Sequence, residues 1–175
     1  MATNRNEFHI VAFDPGGTIG WAYLSIHKRA FTSHKNKVLR NILQWDTGEF
    51  EGTEHDQIQQ AIWLMREARY EPKPFVADTD YVSEAFHLTQ IIGGEELLSP
   101  VRINAILDWE CQRNVGKTLQ FQNRNLRTGV TKNRLKLWGL DWEGKDSFAA
   151  MQHAITWLRR VKRESNERPW KLDEY

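Results

Sequence analysis

Apolar positions along the chain fall into two kinds of pattern. FHIVAF carries a short continuous apolar run, the mark of a buried strand, and GWAYLSIH reads as a second strand. Basic and polar residues from Lys28 to Lys37 suit a hairpin loop, and VLRNILQWDTGEF reads as a third strand ending near Gly48. The period then changes. Thr53 is placed to cap a helix from Glu54 to about Tyr70, with Ile58, Ala61, Ile62, Met65 and Ala68 on one face, and Pro72 and Pro74 end it. YVSEAF is a fourth strand. After a Gly-Gly loop come a helix from about Pro100 to Gln112 and a fifth strand, TLQFQN. Thr131 is placed to cap a short helix to about Trp138. The last helix runs from about Lys145 to Arg163, striped by Phe148, Met151, Ala154, Ile155 and Leu158. This alternation predicts a mixed α/β domain over residues 1–165, with 166–175 as a loose tail.

Composition narrows the class. The chain has 175 residues, enough for one domain with a real core. Its single cysteine, Cys111, excludes an internal disulfide and a cysteine zinc site, and reads as an inert core thiol. The start, MATNRNEF, lacks the apolar core of a signal peptide, and no apolar run reaches membrane-spanning length. A soluble, cytoplasmic protein with no membrane partner is expected.

The candidate chemistry starts at FDPGGTIGWAYL. The apolar run stops at Asp14, and Pro15, Gly16 and Gly17 follow at once. The dinucleotide spacing GxGxxG and the phosphate-loop spacing GxxxxGK[ST] are both absent. A glycine turn leaves space above Asp14, where a carboxylate can hold a divalent ion. A carboxylate that caps its own turn is the simpler alternative. In YVSEAF, Val82, Glu84 and Phe86 share one face. A charge there is costly unless paired or metal-bound, or unless the strand is an edge with Glu84 in water. Glu143 and Asp146 stand three apart where the last helix begins. They either face one site or complement the helix dipole.

Taken in order, these motifs resemble those of the RuvC-like Holliday junction resolvases of the ribonuclease H-like superfamily, particularly small versions carried by phages. IVAFDPGGTIGWA is similar to the family's first strand, VSEAF to the strand carrying its Glu, and KDSFAAMQHAITWLRR to its final helix. TGVTKNRLKLWGL is similar to the basic segment before that helix. The resemblance covers about Phe8 to Arg163. It implies a five-stranded mixed sheet of order 3-2-1-4-5, strand two antiparallel to the rest, flanked by helices. It also implies that Asp14, Glu84, Glu143 and Asp146 hold two Mg²⁺ ions, with Mn²⁺ able to substitute. Glu143 falls where the family has Asp or His, and Asp141 is the substitute candidate. The implied activity is endonucleolytic cutting of four-way or related branched DNA, leaving a 5′-phosphate and a 3′-hydroxyl. A homodimer is implied too, with the Pro100 to Gln112 helix in its interface through Val101, Ala105, Ile106, Leu107 and Trp109. The family's junction-wedging aromatic has no clear counterpart, and Phe86 reads better as core.

Charge distribution supports a nucleic-acid partner. Cys111 to Leu140 contains no Asp or Glu but carries Arg113, Lys117, Arg124, Arg127, Lys132, Arg134 and Lys136. All but Arg113 are taken as candidate DNA contacts, since such a run suits phosphate binding without base reading. A solvated basic face is the plain alternative. His153 lies about 10 Å along the helix from Asp146, so it reads as packed or supporting rather than as a ligand of the same ion. Trp21 and Trp142 flank the acid motifs and are candidates for the DNA surface. Rival classes are a two-domain ATPase, for which the chain is too short, and a noncatalytic binding relative, against which the retained acids argue. A flap, fork or exonuclease of the same fold is the third.

Overall fold

The computed structural model describes residues 6–32, 38–70, 79–86 and 98–167. Strands β1 (Glu7–Asp14) and β2 (Gly20–His27) form an antiparallel pair. A short helix α1 (Arg29–Thr32) and a 3₁₀ turn (Val38–Asn41) lead to β3 (Ile42–Glu49), antiparallel to β2. Helix α2 (Glu54–Tyr70) precedes β4 (Thr79–Ala85), and α3 (Ser99–Glu110) precedes β5 (Gln120–Asn123). A 3₁₀ segment (Arg124–Gly129), α4 (Lys132–Leu137) and α5 (Lys145–Glu167) complete the order. The sheet runs β3-β2-β1-β4-β5, with β1, β4 and β5 parallel and β2 antiparallel to its neighbours. The expected order and directions are therefore observed.

The strand period decides which helix each side chain meets. Phe8, Ile10, Ala12 and Val82 pack with α5, whose Met151, Ala154, Ile155, Leu158 and Val161 are buried at helical spacing. Val11, Phe13 and Tyr81 point the other way, onto Ile58, Ala61 and Met65 of α2 and Ile103 and Leu107 of α3. Each large buried side chain contributes about 1.5–3 kcal/mol of transfer free energy. Cys111 belongs to this second core, and burial pushes its thiol up to about 12, so it is inert.

Some local expectations are revised. Arg29–Thr32 forms a helical turn rather than pure loop, because Ala30 and Phe31 bury against α5. The Lys162 ammonium donates to the carbonyls of both, at 2.8 and 3.1 Å. Val38 begins a 3₁₀ turn, so β3 starts only at Ile42. α3 is followed by one wide π turn, Cys111–Val115, closed by Gly116 at φ 73°. α5 continues to Glu167, past the expected end at Arg163. His34, His87, the Gly-Gly loop and residues 168–175 lie outside the described residues. No helix among the described residues is long and apolar enough to cross a membrane.

Candidate metal centre

Strands β1 and β4 end side by side. Their last paired residues are Phe13 and Ser83, so Asp14 and Glu84 stand one step beyond, at the carboxyl ends of adjacent parallel strands. Both continue the rows that face α5. Asn104 of α3 secures the β4 end from the other face, donating to the Glu84 carbonyl at 2.8 Å and accepting from Ser83 Oγ at 2.6 Å.

α5 supplies the opposite wall. His153 Nε2 lies 3.0 Å from Glu84 Oε2, and its Nδ1 lies 3.2 Å from the Gln122 side chain on β5. One ligand atom each from Asp14, Glu84 and His153 lie within 4.8 Å of one another. Asp146 opens α5 and lines the same cleft, together with Pro15, Gly16 and Gly17. The 15–17 turn contributes almost no bulk, and a Cβ on Gly17 would meet no atom within 4 Å.

Glu49 of β3 fixes where α5 begins. Its Oε1 accepts from the backbone N–H groups of Asp146 at 2.7 Å and Ser147 at 3.2 Å. These are otherwise unsatisfied donors of the first turn, and the carboxylate also complements the helix dipole. Gly144 lets it approach, since a Cβ there would lie 1.9 Å from Glu49 Oε1. On the far side, α5 leans on Gly20, the residue paired with Asp14.

The electrostatics are those of crowded carboxylates. Burial, then the neighbouring Glu84 charge, pushes the Asp14 carboxyl up to about 7. Burial also raises Glu84, but the His153 hydrogen bond and the Arg127 charge outweigh it and hold Glu84 below its ordinary value. Burial, then Glu49, raises Asp146. Burial lowers the proton affinity of His153, against the pull of the Glu84 carboxylate that its Nε2 faces. Arg127 enters the cluster directly. Its Nη1 lies 2.8 Å from Glu84 Oε2 and 3.3 Å from Asp14 Oδ1.

The structure sorts the sequence candidates. Asp14, Glu84 and Asp146 converge. Glu143 sits on the exposed turn before α5, outside the cluster, and Asp141 is also exposed, accepting from its neighbour Trp142 N–H. Among the basic residues, Arg124, Arg127 and Lys132 line the carboxylate cleft. Lys117 does not: its ammonium donates to the Thr79 carbonyl at the opposite end of β4. Arg134 and Lys136 are exposed on α4, the Arg134 guanidinium donating to the Gly129 carbonyl. Phe86 is 38% exposed and lines the cleft, so its reading as core is corrected: the strand ends at Ala85 and the alternation no longer applies. Trp21 stacks on Phe50, and Trp142 packs on Phe148. Sequence reasoning missed Glu49, Lys145 and Gln152. Lys145 and Gln152 both line the cleft.

The donor set fits a hard divalent cation. Its carboxylate oxygens come from separate rigid elements, and burial, followed by like-charged neighbours, raises the proton affinities of Asp14 and Asp146.

No protein-family model and no curated protein matches the chain. Solved structures do. The chain is similar to the Thermus thermophilus RuvC structure, with TM-score 0.53 and 12% identity over 91% of this chain and 97% of that one. It is also similar to T. thermophilus RuvC in complex with Holliday junction substrate, with TM-score 0.51 and 12% identity over 85% of this chain and 91% of that one. The class defined by sheet order and helix placement is the ribonuclease H-like fold. Within it, the chain has a RuvC-like fold.

Proposed function

We propose that this protein is a metal-dependent endodeoxyribonuclease that resolves four-way DNA junctions or closely related branched DNA. One observation carries the reading. Three carboxylates from β1, β4 and α5 share a cleft with Arg124, Arg127 and Lys132, so an acidic centre lies beside cations suited to phosphate. The RuvC structure solved with a Holliday junction supports the choice of substrate.

In this reading Asp14, Glu84 and Asp146 hold two ions of the Mg²⁺ class, with Mn²⁺ able to substitute. Glu143 does not line the cleft and is left out of this set. When bound, the ions supply Lewis acidity, activating water and stabilising the leaving oxygen. The chain's own residues do the rest. His153 holds Glu84 in one orientation. Glu49 sets the position of Asp146. The 15–17 turn leaves room for the scissile phosphate, and Arg124, Arg127 and Lys132 hold the backbone around it. Products carry a 5′-phosphate and a 3′-hydroxyl.

Paired cuts on a two-fold junction call for a two-fold dimer. Leu107 is in the core and is not offered to a partner. Ile106 and Trp109 of α3 and Trp63 of α2 are exposed, and they form the face we assign to the second copy. The α/β unit that ends with α5 at Glu167 acts as the nuclease domain of a cytoplasmic protein.

The test is incubation of labelled four-way junction, fork, flap and linear duplex with Mg²⁺ and with chelator, followed by end mapping. Paired, opposed nicks in the junction alone support the proposal. Cutting of the fork or flap alone reassigns the substrate, and no Mg²⁺-dependent cutting of any substrate overturns the enzyme reading.

A further inference from the structure

A second basic cleft lies further along α5. It encloses about 250 Å³ between Gln122 and Leu126 on one wall and Thr156, Arg159, Arg160 and Arg163 on the other. None of these arginines belongs to the acid-free segment. Arg160 is paired with Glu164 at 2.8 Å. Arg159 is half-buried with its guanidinium over the Trp138 ring, 5.2 Å from the centroid. Burial, then the like charge of Arg134, disfavours its charged form. A guanidinium does not release its proton in a protein, so this cost stands until an anion arrives. Among the described residues, neither Arg159 nor Arg163 has an acidic partner.

Two features point to a phosphodiester chain. The planar guanidinium fork matches phosphate oxygens. The cleft also continues the carboxylate cleft. Gln152 lines the first and Thr156, one turn on, lines the second. Arg124 and Arg127 face the first, while Leu126 of the same 3₁₀ segment faces the second. From Gln152 to Arg163 the helix rises about 16 Å. A DNA strand carries about five phosphates over that length.

We infer that the Arg159–Arg163 cleft binds the phosphate backbone of the same DNA strand whose scissile phosphate lies over the carboxylates. It engages one to two further phosphates and holds the strand along α5. The inference rests on the nuclease reading above.

The test compares the parent with an Arg159→Gln/Arg163→Gln variant. Binding of a labelled four-way junction is followed by anisotropy in chelator at several salt concentrations. The expected result is about tenfold weaker binding and a salt slope shallower by about 1–2, near 0.9 for each phosphate that is no longer neutralised. Cutting at saturating protein should persist. An Arg159→Lys/Arg163→Lys variant should keep the slope. Should the double Gln variant fail to fold, Arg163→Gln alone, at an exposed site, should lower the slope by about 0.9. Unchanged affinity and slope, in a parent that binds and cuts, overturn the cleft but not the enzyme. A parent that binds no DNA overturns both. Calorimetric titration with inorganic phosphate separates the sources. Saturable phosphate binding that disappears in the Gln variant, with the DNA slope unchanged, makes this a small-anion site and overturns the inference.

Discussion

The Arg127 guanidinium lies 2.8 Å from the Glu84 carboxylate, inside the cleft that would hold a divalent ion. A weaker interaction reaches Asp14 at 3.3 Å. In the ion-free protein this arginine supplies the positive charge that crowded carboxylates need. Arginine and metal therefore draw on the same oxygens. Arg127→Gln should cost the ion-free protein about 3 kcal/mol at pH 8, the range for removing one partner of a buried pair. The same change should tighten Mn²⁺ binding. Denaturant melts in chelator, set beside Mn²⁺ titrations, check both signs. An unchanged Mn²⁺ affinity would show that Arg127 does not compete with the ion.

Substitution of the carboxylates should separate chemistry from binding. Asp14→Asn, Glu84→Gln and Asp146→Asn should each reduce cutting at least a thousandfold while leaving junction affinity within a few-fold. Glu143→Gln should be milder than all three, because Glu143 is exposed and outside the cluster. A Glu143→Gln loss as deep as that of Asp146→Asn would restore it to the site.

Proton linkage gives a further check. The folded Asp14 carboxyl titrates near 7, above its ordinary 3.8. Between these values the folded state holds more protons than the unfolded one. Its contribution is thus fully present below about pH 4 and is lost as pH rises through about 7. Ion-free parent protein should lose stability across that window more steeply than Asp14→Asn. Divalent-ion affinity should climb over the same range and level off above it. Melting curves against pH, with and without Mn²⁺, measure both.

Glu49 offers a test of positioning. Glu49→Ala removes the acceptor for two backbone donors at the start of α5 and should cost about 1–2 kcal/mol. It should also lower the rate of cutting more than it weakens junction binding, because it leaves the basic residues in place. Equal losses in rate and binding would indicate general unfolding instead.

The dimer face is checked by sedimentation. Trp109→Glu should convert a dimer to monomer and uncouple the paired nicks. A parent that is monomeric both free and on the junction would defeat the paired-cut model.

Local pattern carries much of the fold. The β2 residues GWAYLSIH are legible as written, and Thr131 does cap α4, accepting from Arg134 N–H. The α5 stripe from Met151 to Leu158 is buried as its spacing implies. Contacts between distant elements are not legible. Spacing along α5 relates His153 to Asp146, whereas its neighbour is Glu84, 69 positions away on a strand that α5 covers. Arg127 is separated from Asp14 by 113 positions. Glu49 reads as an ordinary strand-end acid, since its helix partner begins 97 positions later. Periodicity reports which face a residue takes, not what the facing element brings.

Gly20 shows where the tolerance of such a site ends. It pairs with Asp14 in the sheet, and a Cβ there would fall 2.0 Å from the Asp146 backbone carbon. The gap between two acids on different elements is thus gauged by a residue with no side chain at all. Any replacement, even alanine, must prise the α5 terminus off the sheet and widen that gap with every carboxylate still present. In a scan of substitutions for lost cutting, position 20 should rank with the acids although it contributes no functional group.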